Sequence, residues 1–214
     1  MDIHPPHGPV NSPRDFLLHL LTVVLGILIA LSLEGLLEWH HHRASAEEAR
    51  SNLSAEIREN RQRLERGLIQ APDAKQRLKA TIDAVEALRK NRHDDRTSKL
   101  EWSFGVTPLP ATAWSTAAST GALGYMDFSE VKGYTWAYVL QDQFLTQQQS
   151  TLATWLDLQK WVPRRGADGS LASLSNEELS EVESAASAAL LHTETEESFA
   201  ETLVQMYAKV LGEK

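Results

Sequence analysis

The sequence predicts an all-α protein in which one N-terminal transmembrane helix is followed by an antiparallel bundle of about four helices. Three observations carry that expectation. The run from Phe16 to Leu37, FLLHLLTVVLGILIALSLEGLL, is apolar almost throughout. Beyond Ala46 the apolar residues recur at spacings of three and four, the period of a helix with one buried face. No stretch shows the strict alternation of β-branched residues that marks a half-buried strand. The expected organisation is a short polar tail at 1–15, the transmembrane helix at 16–38, a charged juxtamembrane stalk at 39–70 and the helical bundle at 71–214.

The apolar run contains no Lys, Arg or Asp, and its only acid, Glu34, lies near the far end. At about 1.5 Å of rise per residue it is long enough to cross roughly 30 Å of hydrocarbon. Lipid offers backbone groups no hydrogen-bond partners, so such a run crosses a membrane as a helix. A cleaved signal peptide fits poorly, because the run exceeds the usual apolar region and is followed by Glu38-Trp39-His40-His41-His42-Arg43 with no Ala-x-Ala pattern. A buried helix of a soluble protein fits poorly too, because no polar face stands opposite a core stripe.

Within the span, Thr22, Gly26, Ala30 and Glu34 recur every four residues, and His19 lies near the same face. Small residues at that spacing let two helices approach closely, and a polar group in a membrane usually faces protein. These four residues form the expected helix-packing seam. Trp39, His40, His41, His42 and Arg43 form the expected juxtamembrane collar. The three histidines, with His4 and His7, have metal-binding chemistry. Adjacent helical residues, however, point about 100° apart and cannot all converge on one ion, so no metal or other cofactor is expected.

From Ala46 to Leu68, Leu53, Ile57, Asn60 and Leu64 fall at spacings of four, three and four. They predict one narrow seam, suited to a coiled-coil or bundle stalk. No Pro or Gly lies between Leu36 and Leu64, so span and stalk can be one helix. Pro72-Asp73 is expected to start a new helix, with Leu78, Ile82, Val85 and Leu88 on its apolar face. The polar cluster Asn91 to Arg96 ends it, and Gly105, Pro108 and Pro110 mark a loop.

TAWSTAAST from Thr112 predicts a short helix that Gly121 and Gly124 interrupt. Asp127 is expected to cap the next helix, with Glu130 in the capping-box position. That helix carries Val131, Tyr134, Tyr138, Leu145, Leu152, Trp155 and Val162 on one side, with Gln141 and Gln148 in the same stripe, until Pro163 stops it. Arg164 to Gly169 is a turn. Ser175-Asn176-Glu177-Glu178 is a capping box, after which Leu179, Val182, Ala186 and Ala189 mark one amphipathic stripe and Phe199, Leu203, Met206 and Val210 another. Thr193 with Glu196 either caps a fresh helix or lies inside a continuous one.

Composition narrows the function classes. The formal charge of −8, from 21 Lys and Arg against 29 Asp and Glu, argues against a nucleic-acid surface. The absence of cysteine excludes disulfides, thiolate nucleophiles and Cys-ligated metal. No GxSxG, P-loop or HExxH arrangement occurs, and an enzyme is not expected. His93, Asp94, Asp95 and Asp127 have acid–base chemistry, but their neighbours suggest a solvated linker and a helix cap. Trp102, Trp114, Trp136, Trp155 and Trp161 are expected mainly in the core, and Trp114 with Gly121 and Gly124 is the one candidate pocket. Arg14 stands before the span and Arg43, Arg50 and Arg58 after it, a count that leans toward a cytoplasmic C-terminal domain.

The segment GILIALSLEGLLEW at Gly26 to Trp39, followed by SAEIRENRQRLERGL, resembles the start of a family of single-pass bacterial membrane proteins grouped as domain of unknown function 6090. ATAWSTAASTGALGYMDFSEV at Ala111 to Val131, with Tyr138-Val139-Leu140-Gln141 after it, resembles the central stretch of the same proteins. Leu36-Leu37-Glu38-Trp39 and three histidines stand where that family more usually has an Asn-Trp-Asn-Glu-like run. The resemblance implies a bacterial inner-membrane protein and imports no activity. The expected function is that of a membrane-anchored structural or interaction subunit, with the lipid bilayer and a second copy or a membrane complex as partners. The alternative is a sensory or ligand-binding bundle, disfavoured because only MDIHPPHGPVNSPRD precedes the span.

Overall fold

The computed structural model describes residues 13–91, 102–164 and 170–213. Every regular element among them is helical: α1 at Pro13–Lys90, α2 at Thr112–Ser119, α3 at Phe128–Gln159 and α4 at Asn176–Leu211, with 3-10 turns at Ala122–Tyr125 and Val162–Arg164. The protein is therefore all-α, a long apolar N-terminal helix followed by a helical bundle. Two compact units divide the chain, Met1–Glu48 and Ala49–Lys214, and the boundary falls inside α1.

In the first unit, α1 contains an 18-residue window with a mean hydropathy of 2.6, none of it buried. That helix is long and apolar enough to cross a membrane. Local bonds hold its polar side chains, Thr22 Oγ1 donating to the Leu18 carbonyl at 2.8 Å and Ser32 Oγ to that of Leu28 at 2.7 Å.

The second unit is a bundle of the rest of α1 with α2, α3 and α4. Leu53, Ile57, Asn60 and Leu64 are at most 1% exposed. The sequence placed them on a stalk at 39–70, yet residues 49–70 belong to the bundle, because α3 and α4 of the same chain cover the seam. Pro72 likewise does not restart a helix; it lies inside α1. Its ring is exposed, while Leu64 and Leu78 on either side are buried. Packing on both sides thus carries the helix through a residue that costs about 3 kcal/mol at a helix interior.

Paired side chains give the topology. Arg50 with Glu130, Ser54 with Tyr134, Glu56 with Tyr138 and Asn60 with Gln141 climb α1 and α3 together, so these helices run parallel. Arg61 with Glu213, Lys75 with Glu197 and Arg89 with Glu183 climb α1 while descending α4, which is antiparallel to it. Parallel neighbours need a return connection. Residues 102–111 supply it as an irregular strap lying back along α1: Trp102 Nε1 donates to Thr81, Arg63 to the Pro108 carbonyl and Asn60 to that of Pro110. Gly67 permits the close approach, since a Cβ there would lie 3.0 Å from Thr107 Oγ1.

At the start of α2, no side chain caps from Ala111; instead Glu56 Oε2 on α1 accepts the Ala113 N–H at 2.9 Å. Asp127 occupies the cap position of α3, but its side chain makes no capping bond, and Glu130 is taken by Arg50 Nε at 2.7 Å. The expected capping box there does not form. The box at Ser175 and Glu178 does, and the Ser175 N–H holds the Glu178 carboxyl below its usual range. α4 then runs on as one helix through Thr193, whose hydroxyl donates back to the Ala189 carbonyl.

The buried stripe of α3 includes Ala137, Phe144, Thr151 and Leu158 besides the expected Tyr134, Tyr138, Gln141, Gln148 and Trp155. Val131, Leu145 and Leu152 are only half-buried, and α3 ends before the exposed Val162. On α4, Leu179, Val182, Ala186 and Ala189 are buried as expected. The second stripe is centred on Ala200, Leu203 and Tyr207, with Phe199, Met206 and Val210 at its half-buried margins. Trp102, Trp155 and Trp161 are core residues, whereas Trp136 is half exposed.

Replacing Pro72 with Ala should restore a bond to the Leu68 carbonyl and raise stability by about 1 to 3 kcal/mol, net of the freedom returned to the unfolded chain. Thermal unfolding of the full chain checks this, and a lower midpoint would contradict it.

Candidate functional site

The sequence-predicted positions in the first unit are all on its surface. Thr22, Gly26, Ala30 and Glu34 are exposed, and a Cβ built at Gly26 meets nothing within 4 Å. In the collar, the Arg43 guanidinium lies 5.7 Å from the centre of the Trp39 ring and pairs with Glu47 at 3.1 Å. His42 Nε2 stands 3.8 Å from Glu38, and His40 and His41 are exposed. Among the described residues, no group of His and acidic side chains is arranged to hold a metal ion. His4, His7, His93, Asp94 and Asp95 lie outside the described residues.

The candidate pocket at Trp114, Gly121 and Gly124 does not assemble. Trp114 stacks on Tyr138, ring centres 5.1 Å apart. Gly121 adopts a φ of 75° because the chain turns sharply after α2, and both glycines face open space. Their role is in the turn, not in a cradle.

Two other polar arrangements emerge in the second unit. The first is a buried layer around Gln141. Its Oε1 accepts from Asn60 Nδ2 at 3.1 Å and from the Tyr207 hydroxyl, while its Nε2 donates to the Leu109 and Pro110 carbonyls at 3.0 and 3.2 Å. One carboxamide thus contacts α1, α4 and the strap. Burial raises the pKa of Tyr207, and burial with the bond to Glu56 raises that of Tyr138, so both phenols stay protonated as donors.

The second is a cavity of about 720 Å³, partly open to solvent and lined by α1 from Arg63 to Arg77, the strap from Ser103 to Pro108, Phe144 of α3 and α4 from Thr193 to Ala200. Its α1 wall carries Arg63, Arg66 and Arg77; its α4 wall carries Glu196 and Glu197. Glu197 is paired with Lys75. Glu196 accepts from Gln148 Nε2 at 3.2 Å through Oε1, while its Oε2 and the Nε of Arg77 are buried without hydrogen-bond partners. Burial raises the pKa of Glu196, against the lowering effect of the hydrogen bond from Gln148.

None of these cavity residues was singled out as a site from sequence, although the signal was present. Arg63, Arg66 and Arg77 fall within an arc of about 60° on α1 at 100° per residue. Glu196 sits in register with the buried positions Thr193, Ala200, Leu203 and Tyr207, an acid inside a core stripe.

Compared with protein families, curated proteins and solved structures, the chain matches none.

The raised pKa of Glu196 has a stability consequence of definite sign. The folded state holds this proton more tightly than the unfolded chain, so the group's full contribution is present below the unfolded carboxyl pKa, about 4.3, and is lost as pH rises through the folded value. Glu196→Gln should therefore raise the unfolding midpoint near pH 8, by about 2 to 4 °C for a gain near 1 kcal/mol, and leave it unchanged near pH 4. Equal midpoints at both pH values would count against a buried carboxyl at this place.

Proposed function

We propose that this protein is a membrane-anchored helical bundle that serves as a structural or interaction subunit, assembling through its N-terminal helix with a second copy or a membrane complex. The observation that carries the reading is the apolar window of α1, unburied within the chain and bearing an exposed row of Thr22, Gly26, Ala30 and Glu34. Lipid tails are as apolar as leucine, so helices associate there through close packing of small residues and shared polar contacts. Glu34 is costly in hydrocarbon and gains by facing a protein neighbour or the headgroup region.

The proposed location is the bacterial inner membrane, in keeping with the resemblance to the domain of unknown function 6090 family, of which we propose it is a member. Arg43, Arg50 and Arg58 following the span favour a cytoplasmic bundle. A ligand-binding bundle is the second reading, and the cavity between α1, the strap and α4 is the observation in its favour.

Because the chain has no native cysteine, single cysteines report helix contacts without background. In native membranes, Thr22→Cys and Ala30→Cys should form disulfide-linked species, and adding Gly26→Ile with Glu34→Leu should abolish them. An unchanged cross-linking pattern in that double variant would sink the packing role.

A further inference from the structure

We propose that the cavity between α1, the strap and α4 binds a small anionic amphiphile, an oxyanion head group of the carboxylate or phosphate class on an apolar body. The site lies wholly within Ala49–Lys214 and rests on no property of the apolar helix.

Size is the first argument. At about 720 Å³ the cavity falls within the roughly 300 to 1,000 Å³ of small-molecule sites. Its lining residues Arg66, Ser103, Gly105 and Val106 are exposed, so the cleft opens to solvent and a ligand can enter it.

Polarity is the second. Arg77 Nε is buried without a partner, and a guanidinium does not shed its proton, so this N–H needs an acceptor oxygen. Glu196 Oε2 is also buried without a partner. Burial raises the pKa of this carboxyl. Neither orphan satisfies the other. Arg63 and Arg66 line the same side; Arg63 is engaged by Glu59 at 3.7 Å and by the Pro108 carbonyl. A buried guanidinium N–H without an acceptor, with the Arg66 side chain lining the same cleft, calls for an oxyanion, which accepts from several donors at once and from arginine in bidentate fashion. A cation finds Glu197 held by Lys75 and one Glu196 oxygen already bonded to Gln148.

The apolar lining is the third. Leu64, Leu68, Phe104, Val106 and Phe144 supply a surface that inorganic phosphate would leave uncovered and a short alkyl or aromatic body would cover. Phe104 is itself held in place by stacking on Trp155, ring centres 5.7 Å apart.

The test uses the full chain in phosphatidylcholine nanodiscs, titrated calorimetrically against empty discs. Sodium octanoate and octyl phosphate should each saturate one site per chain, whereas octylammonium and inorganic phosphate should not. Tighter binding of octanoate marks a fatty-acid head group and tighter binding of octyl phosphate a phospholipid-derived one; either supports the proposal. Arg77→Gln should weaken both at least tenfold with unchanged helical circular dichroism. Should that variant unfold, Arg66→Gln carries the test, because Arg66 is exposed and lies outside the core. Absence of saturable binding by both octyl anions overturns the proposal, as does binding that Arg66→Gln and a folded Arg77→Gln leave unchanged. Inorganic phosphate binding as tightly as octyl phosphate also overturns it. These outcomes are independent of the cross-linking result, which concerns the span alone.

Discussion

The architecture of the bundle depends on one buried carboxamide. Gln141 uses both of its acceptor and both of its donor capacities, toward Asn60, Tyr207, Leu109 and Pro110. A one-residue slide of α3 along either neighbour would bury these groups unpaired, at about 1 to 3 kcal/mol for each neutral group. The buried apolar side chains Leu53, Ile57, Leu64 and Leu203 have no directional bonds to lose in such a slide. The polar layer therefore specifies which of several similar packings the chain adopts, while the apolar stripes supply most of the driving force.

That register has consequences at both ends of the layer. On the α2 side it brings Glu56 to the Tyr138 hydroxyl and to the first turn of α2, so that α1 caps a helix 57 positions away. On the other side, the strap passes over Gly67 at Thr107 and is anchored by Phe104 on Trp155 and by Trp102 at Thr81. The cavity lies between α1, the strap and α4, with Arg63, Arg66 and Arg77 on its α1 wall and Glu196 and Glu197 on its α4 wall. A core of Trp102, Trp155, Trp161 and their aliphatic neighbours closes the bundle beyond it. The parallel arrangement of α1 and α3 is thus what makes the strap necessary, and the strap is what makes the cavity.

Much of this was legible in the chain, and the failures have physical causes. The apolar run, the seam from Leu53 to Leu64, the first stripe of α4 and the Ser175 capping box are local signals that the fold leaves intact. Pro72 marks a boundary in the sequence because its missing N–H is a local fact, whereas the packing of Leu64 and Leu78 that overrides it is not. Glu130 stands in a capping position, yet Arg50, eighty positions away, takes it. Gly121 and Gly124 suggested a close approach, but glycine serves a turn as readily as a ligand. The cavity escaped because its two sides are α1 and α4, and nothing in either segment announces the other. Glu196 in a buried stripe and three arginines on one face are each ordinary on a solvated helix; only their juxtaposition across a void gives them meaning.

The central claim is that Asn60, Gln141 and Tyr207 act as a unit that sets helix register. A double-mutant cycle on the full chain, combining Gln141→Leu with Tyr207→Phe and with Asn60→Leu and read by denaturant unfolding, tests it most directly. The account predicts that each single change is destabilising and that each pair costs less than the sum of its members, with coupling of about 0.5 to 3 kcal/mol. Additivity within about 0.3 to 0.5 kcal/mol in both pairs would contradict it and leave the apolar stripes as the source of register.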